Sequence, residues 1–416
     1  MDNPARPVIL RPMTHDADIL IAGGGLTGTS LALALARGGQ SVALIDPAPA
    51  EIRAAPGFDG RSYALALASR RLLDAIGVWE AVEDMAQPIL RIAVSDGRAG
   101  EGASPLHLVF DHGEIEEGPM GHMVEDRHLR PALLAAVAAE PRIAHLERER
   151  VVAQVPEPGG VRVTLASGKT VSGALLVGCD GAESGTASRA GIRRTGWRYG
   201  QTALVCAIAH ERDHEGCAHQ FFMPPGPLAI LPLKGRRSSI VWTEEDDAAR
   251  EIQAMDEAGY LSVLRPRFGD FLGEISLAGD RYTYPLSLSL AQSFVAERVA
   301  LAGDAAHRVH PIAGQGLNAG LRDVGALAHV LAEARRRGED IGGAPVLERY
   351  QRWRRWDTAT LALATDGFNR LFSNDNPILR LGRDLGLGAV NALPGLRRAF
   401  IREAAGLTGD LPDLMR

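Results

Sequence analysis

The chain has 416 residues, too many for one ordinary domain and enough to bury the cores of two or three. Hydrophobic residues make up 46% and charged residues 23%, the balance of a globular protein. A net charge of −6 argues against nucleic acid as a partner, because phosphate recognition needs a basic face.

The N-terminal stretch "MDNPARPVILRPMTHDAD" carries early prolines and acids and lacks an apolar core of signal-peptide length. No apolar run approaches the roughly 20 residues that span a bilayer. The expectation is a cytoplasmic protein, with peripheral attachment at the inner face of the membrane as the other reading. Residues 18–46 then read "DILIAGGGLTGTSLALALARGGQSVALID". The apolar run Ile19 to Ala22 predicts a buried strand. Gly23-x-Gly25-x-x-Gly28 follows and opens a helical stretch carrying Leu31, Leu33, Ala34 and Leu35. A second apolar strand, Val42 to Ile45, ends in Asp46, at the distance the dinucleotide fingerprint requires. Gly23 would allow a tight turn, Gly25 the approach of a pyrophosphate, and Gly28 the packing of helix on strand. The helix N-terminus offers free amides to the anion, and Asp46 can accept hydrogen bonds from a ribose. The span indicates a dinucleotide without saying which.

Further along, "VVAQV", "VRVTL" and "ALLVGC" are short β-type runs separated by Pro158-Gly159-Gly160 and Ser167-Gly168-Lys169. They predict a three-stranded antiparallel meander. Asp180-Gly181 follows the third run, where it serves either as a turn or as a nucleotide contact. From about residue 197, "TALVCAIAHE", "PLAILPL" and "SSIVWT" are strand-like. With "ILRIAVSD" and "PLHLVF" from before the meander, they fit one larger mixed sheet. Nucleotide and sheet segments therefore alternate along the chain, which implies two interleaved domains.

"RVALAGDAAHRVHPIAGQGLNAGLRD" repeats the opening pattern. A strand from Val299 to Ala302 runs into Gly303-Asp304, and a Pro/Gly loop leads into a helix. If this strand joins the nucleotide sheet, Asp304 emerges at the same carboxyl edge as Gly23 to Gly28, where ligands bind. A nicotinamide cofactor alone would not need a second Gly-rich helix start. FAD would, with Asp304 accepting hydrogen bonds from its sugar-alcohol chain and the amides around Gly314 to Asn318 meeting its ring. His307 and His310 form a weak metal signal without nearby carboxylates. A packing or hydrogen-bonding role is expected, with His310, Pro311 and Gln315 as candidates to border the pocket. No metal is expected.

These residues resemble the flavin-dependent aromatic hydroxylases related to p-hydroxybenzoate hydroxylase, and within them the ubiquinone-biosynthesis hydroxylases. The resemblance is carried by "IAGGGLTGTSLALALA", "DGRSYALALASRRLLDAIGVW", "GHMVEDRHLRPALL", "DGAES", "GPLAILPL" and "GDAAHRVHPIAGQGLNAGLRDV", and extends from about residue 17 to 413. It implies an α/β fold in which a Rossmann-like FAD-binding domain is interleaved with a mixed β-sheet substrate domain, followed by a helical C-terminus. The implied boundaries are 17-75, 123-190 and 290-345 for FAD, 76-122 and 191-289 for substrate, and 346-416 for the helical region. Gly23, Gly25, Gly28 and Asp46 would bind the ADP half, Arg61 would lie near the flavin, and Arg127 would approach the pyrophosphate. Asp180 and Gly181 would serve FAD and NAD(P)H. Asp304 would hold the ribityl chain, and Gly314, Gly316, Leu317 and Asn318 would surround the pyrimidine edge. NADPH or NADH would supply electrons, and a flavin hydroperoxide would hydroxylate a polyprenylated phenol with O2 as co-substrate. The chain departs from the pattern at Ala187, where the family usually has Arg three residues after the "DGxxS" serine; Arg189 is the candidate substitute.

Toward the C-terminus, "PILRLGRDLGLGAVNALPGLRRAFIREAAGL" mixes apolar positions with Arg380, Arg383, Arg397, Arg398 and Arg402. Such a segment suits an anionic membrane, a partner in a biosynthetic complex, or a solvated face on a packed helix. Trp197, Trp242, Trp353 and Trp356 read as core or interface aromatics. Cys179, Cys206 and Cys217 form no redox pair, which excludes a disulfide reductase. The absence of a W-x-W-x-I-P motif argues against a tryptophan-type halogenase. A hydroxylase of a soluble phenol and a non-catalytic flavin-bound scaffold are the remaining alternatives.

Overall fold

The structure is a computed structural model, and it describes residues 15–54, 57, 60–100, 102–103, 107–309, 315–372 and 393–416. Its first sheet has six strands in the order Val295–Ala296, Val299–Leu301, Leu175–Gly178, Ile19–Ala22, Val42–Asp46 and Ile143–Glu147. All neighbours run parallel except the two-residue edge strand. Every residue of Ile19–Ala22, Val42–Asp46 and Leu175–Gly178 is buried. Strands covered on both faces need such unbroken apolar runs. The helix Leu26–Arg37 covers one face with Leu31, Leu33 and Leu35, and it packs beside the 22-residue helix Gln315–Arg336.

The predicted meander exists, but its third strand is Thr170–Gly173 rather than "ALLVGC". The chain leaves the meander at Ala174, whose N–H donates to Asp18 O at 2.9 Å. Leu175, Leu176 and Val177 then enter the parallel sheet with no exposed surface. Pattern explains the difference. Val161, Val163 and Leu165 alternate with outward-facing residues, as in a half-covered sheet, whereas "LLVG" is apolar throughout.

The second large sheet has ten strands and is mixed, since Cys217–Met223 runs parallel to Arg91–Arg98 while its other neighbours are antiparallel. Its central strand, Arg194–His210, lies between Tyr282–Ala291 and Arg237–Glu245. Side chains alternate between its faces. Leu204, Cys206 and Ile208 pack against the helices Asp246–Ala254 and Glu257–Phe268. Ala203 and Val205 belong to the opposite face, with Leu286, Tyr199, Val241 and Tyr282. The short strand His307–Arg308 pairs with Ser289 and Leu290, so residues 299–308 pass directly from the first sheet into the second. Besides the meander, a second three-stranded sheet joins Ser62–Ala66, Gly121–Glu125 and Gln87–Ile89.

At the C-terminus, the helix Pro394–Ala404 buries Ile401, and Ala405 and Leu407 follow it into a cluster with Leu67, Phe110 and Met123. Arg397 pairs with Glu114 at 2.8 Å, and Arg402 pairs with Glu117. These two arginines are thus neutralised inside the chain, while Arg398 is exposed. Arg380 and Arg383 lie outside the described residues. Trp242 is a core residue, whereas Trp356 is 77% exposed and belongs to no core.

Candidate cofactor and active site

Three loops meet at the carboxyl edge of the six-stranded sheet. In the first, Gly23 has φ +101°, and a Cβ there would lie 2.4 Å from Cys179 O. A Cβ on Gly28 would lie 1.9 Å from Gly23 O. Both positions need glycine to pack the loop against its neighbours. Gly25, the N-cap of Leu26–Arg37, differs: a Cβ there meets nothing within 4 Å, so its face is open. The Asp46 carboxylate shapes this loop from the end of the second strand. Its Oδ2 accepts from Gly24 N–H at 2.5 Å and lies 3.0 Å from Arg53 Nη1, while Oδ1 accepts from Ala48 N–H at 2.8 Å. A carboxylate offers about four lone pairs, which leaves capacity for a ribose hydroxyl.

Asp126, first residue of the helix Asp126–Ala139, gathers the nearby cations. Arg130 donates to it through Nε at 2.9 Å and Nη2 at 2.7 Å, Tyr63 OH donates at 2.8 Å, and Arg61 Nη2 lies 3.2 Å away. Burial pushes the Tyr63 phenol up, and the Asp126 charge pushes it further. Arg53 stands between Asp46 and Asp126; burial lowers its pKa, and the Asp46 charge opposes that. Arg127 Nε lies 2.7 Å from Glu125 Oε2, and the other Glu125 oxygen accepts from Arg237 Nη2 at 2.8 Å. Glu125 therefore ties the start of this helix to the ten-stranded sheet.

In the second loop, Asp180 braces its own turn. It accepts from Ser184 Oγ at 2.5 Å and from the Thr186 N–H and hydroxyl, each at 2.9 Å. Ser184 in turn accepts from Ala187 N–H at 3.0 Å. Gly181, with φ +81°, faces open space. Ala187 is 1% exposed and lies in the core. Arg189 donates through Nε to Gln154 Oε1 at 3.1 Å, and burial lowers its pKa.

The third loop follows the strand Val299–Leu301. Gly303 turns with φ +62°, and its missing Cβ makes room for Thr27, whose Oγ1 would lie 2.8 Å from such an atom. Gly320 accommodates the same Thr27 oxygen, so the first and third loops share a wall. Asp304 projects from this turn and is exposed. Beneath it lies a buried polar core. Asp323 Oδ2 accepts from Gly303 N–H at 2.8 Å and pairs with His307 Nε2 at 2.6 Å, and Oδ1 accepts from Arg354 Nε at 2.7 Å. Burial alone would raise the Asp323 pKa, but the His307 and Arg354 charges and hydrogen bonds outweigh it and hold the carboxyl low.

The helix Gln315–Arg336 begins at the same edge. Gly316 faces open space. The Asn318 side chain serves the fold: Oδ1 accepts from Ala66 N–H at 2.9 Å and Ser69 Oγ at 2.7 Å, and Nδ2 donates to Ala64 O at 2.7 Å. Asn318 therefore leaves a ligand only its backbone, while Gln315, at the first position of the helix, is half-buried. His310, Pro311 and Gly314 lie outside the described residues.

Residues 16–361 match the family described as FAD binding domain. Over 403 residues the chain is 46% identical to the ubiquinone hydroxylase UbiL of Rhodospirillum rubrum, covering 96% of this chain and 92% of that protein. The chain belongs to the FAD-dependent aromatic hydroxylases, in the ubiquinone-biosynthesis subgroup. Another relative, the 3-demethoxyubiquinol 3-hydroxylase of Escherichia coli, is 36% identical over 94% of this chain and 98% of its own. The fold matches the crystal structure of the p-nitrophenol 4-monooxygenase PnpA from Pseudomonas putida DLL-E4 with TM-score 0.77 and 19% identity, over 94% of this chain and 98% of that one.

As a member of this hydroxylase family the protein is a flavoprotein monooxygenase, and the open faces at Gly25 and Gly316 beside the exposed Asp304 suit FAD. Arg53 and Arg354, which pair with Asp46 and Asp323, lie in no motif that the sequence marks, whereas Tyr63, Asp126 and Arg130 fall inside the stretches that carry the resemblance. Asp323 does lie within the recognisable "GLRDV" stretch, at the ninth position of the helix Gln315–Arg336, where it is fully buried. His307 takes the hydrogen-bonding role expected of it.

Proposed function

We propose that the protein hydroxylates the aromatic ring of a polyprenylated phenol in ubiquinone biosynthesis, with NAD(P)H and O2 as co-substrates. One observation carries the substrate class. The sheet face formed by Ala203, Val205, Tyr282 and Leu286 continues through Tyr199 to Leu288 and Val309. Tyr282 lies against Gly60, where a Cβ would meet its ring at 2.2 Å, so this wall reaches the segment carrying Arg61. An apolar, aromatic wall suits a lipid-tailed ring better than a small charged phenol. The subgroup's ubiquinone hydroxylases agree with that reading.

Residues 17–75, 123–190 and 290–345 would hold the cofactor, and 76–122 with 191–289 the substrate. Gly23, Gly25, Gly28 and Asp46 would cradle the ADP half, with Arg61, Arg127, Asp180 and Gly181 along the cofactor's length. Asp304 would accept from the ribityl hydroxyls. Bound FAD supplies the redox chemistry, taking electrons from NAD(P)H and passing oxygen to the ring. The amides at Gly316, Leu317 and Asn318, with the positive end of their helix, would favour the negative charge that reduction brings. The wall from Tyr199 to Leu286 orients the ring and excludes water. A polyprenylated substrate also brings the protein to a membrane surface; no helix among the described residues is long and apolar enough to cross one.

The buried Ala187 and the engaged Arg189 favour a second reading, a flavin-bound scaffold without hydride supply. Reconstitution with FAD, followed by NADH or NADPH and either a polyprenylated phenol in vesicles or a soluble phenol, separates the readings. One oxygen added to the lipid-tailed phenol, found by mass spectrometry, supports the proposal. Turnover of the soluble phenol alone, or none with bound flavin, refutes it.

A further inference from the structure

Arg194 begins the strand Arg194–His210 of the ten-stranded sheet, yet its guanidinium reaches the turn that carries Asp304. Nη2 donates to Asp304 O at 3.1 Å, and Nη1 donates to Ala305 O. The guanidinium is itself anchored on the neighbouring strand, with Nε donating to Ser289 Oγ at 2.8 Å and Nη2 to Ser289 O at 3.2 Å. A planar fork with five N–H donors can hold such a set of acceptors at once; an ammonium cannot. The turn is clamped from both sides. Asp323 holds the N–H of Gly303, and Arg194 holds the next two carbonyls. Between these clamps the Asp304 side chain alone is left to project into the open edge. Arg194 also brings its charge toward the carboxylates of Asp304, Glu183 and Asp180, two of which belong to the adjacent loop.

We propose that Arg194 is a positioning residue for FAD: it fixes the Asp304 turn from the substrate sheet and sets where the Asp304 carboxylate meets the cofactor. The assignment rests on the reading of Asp304 as a cofactor ligand. It also implies that the two sheets hold their relative position partly through this one side chain, so that cofactor binding senses the substrate sheet.

The test is FAD titration of the full-length apoprotein by flavin fluorescence, with circular dichroism to confirm folding. Asp304→Ala is expected to weaken FAD binding by roughly tenfold to a hundredfold, the worth of a hydrogen bond to a charged group. Arg194→Met should weaken it by about tenfold, and Arg194→Lys by less, since one point charge replaces part of the fork. The decisive variant is the double Asp304→Ala/Arg194→Met, which should bind FAD within about twofold of Asp304→Ala alone, because Arg194 acts through Asp304. Should Arg194→Met fail to fold, Ser289→Ala releases the Nε anchor more gently and should still weaken binding by about threefold. Additive losses in the double variant, or unchanged affinity in Arg194→Lys and Ser289→Ala, overturn the proposal. Unchanged affinity in Asp304→Ala overturns the Asp304 reading and this proposal with it, whereas a loss confined to Asp304→Ala overturns only the role of Arg194.

Discussion

Replacing Asp323 by Asn tests whether the buried polar core beneath the Asp304 turn holds the site together. The side chain has no exposed surface and serves three donors: Gly303 N–H, His307 Nε2 and Arg354 Nε. Asn keeps the shape but offers one acceptor oxygen and one donor group. Turned one way, its amide faces Gly303 N–H and His307; turned the other, it faces Arg354. Either way a donor meets a donor, and the Arg354 charge, only 2% exposed, loses its fully buried counter-ion and keeps only the partly exposed Asp357 at 2.7 Å. Losing one partner of a buried ion pair costs about 3–5 kcal/mol, against a total stability of about 5–15 kcal/mol. With an unfolding entropy of about 2 cal/mol/K per residue, a loss of ~4 kcal/mol lowers the melting midpoint of a chain this long by about 5 °C. The assay is thermal unfolding of apoprotein by circular dichroism, repeated with excess FAD. Because Gly303 loses its anchor, the stabilisation that FAD confers should shrink as well. Removing Arg354 together with Asp323, in Asp323→Asn/Arg354→Met, should recover part of the loss. An Asp323→Asn protein that melts within about 1 °C of wild type and gains as much from FAD would refute the reasoning.

Two glycines of the first loop should respond in opposite ways. Gly25→Ala is expected to fold and melt normally but to lose FAD affinity, because its new methyl meets only the open edge; Gly28→Ala should lower the melting midpoint of the apoprotein itself, since its methyl would collide with Gly23 O. Thermal unfolding with and without FAD reads both. Burial, with a contribution from Arg70 or Arg91, holds His122 and His219 at about 4 rather than 6.5. They stay neutral in the folded chain while the unfolded chain takes up protons first, so their stabilisation is complete above pH 6.5 and declines toward pH 4. Urea unfolding across that window should show the decline, and His219→Phe, set among Phe221 and Phe271, should flatten it. Leu286→Asp should raise KM for a polyprenylated phenol by about tenfold or more, through loss of apolar contact and introduction of charge. It should leave FAD affinity unchanged, which steady-state kinetics beside flavin titration would establish.

The strands Ile19–Ala22 and Val42–Asp46 are legible in the sequence because a parallel strand covered on both faces must be apolar throughout. The mixed sheet is legible from alternation for the same kind of reason. Proximity alone draws "ALLVGC" into the meander, since adjacent short strands usually pair. Its true partners, Ile19–Ala22 and Val299–Leu301, lie more than a hundred residues away on either side. The site shows a similar division. Glycine spacing marks the loops, but Asp46, Asp180 and Asn318 turn much of their hydrogen bonding onto their own surroundings, because buried polar groups must be satisfied before any ligand arrives. Arg194 and Arg354 acquire their roles from segments that only tertiary folding brings near, and no local pattern announces them.

The strand order of the first sheet also dictates when the protein can come into being during synthesis. Ile19–Ala22 leaves the ribosome more than 150 residues before its sheet neighbour Leu175–Gly178, and Val299–Leu301 follows later still. At typical elongation rates of about 5–20 residues per second, that apolar strand waits roughly 8 to 30 s before Leu175–Gly178 arrives to cover its open side. Until then two highly apolar strands and their Gly-rich turn have one side unpaired. The nascent chain is therefore a natural client for chaperones, and fragments ending before residue 301 should neither bind FAD nor remain in solution.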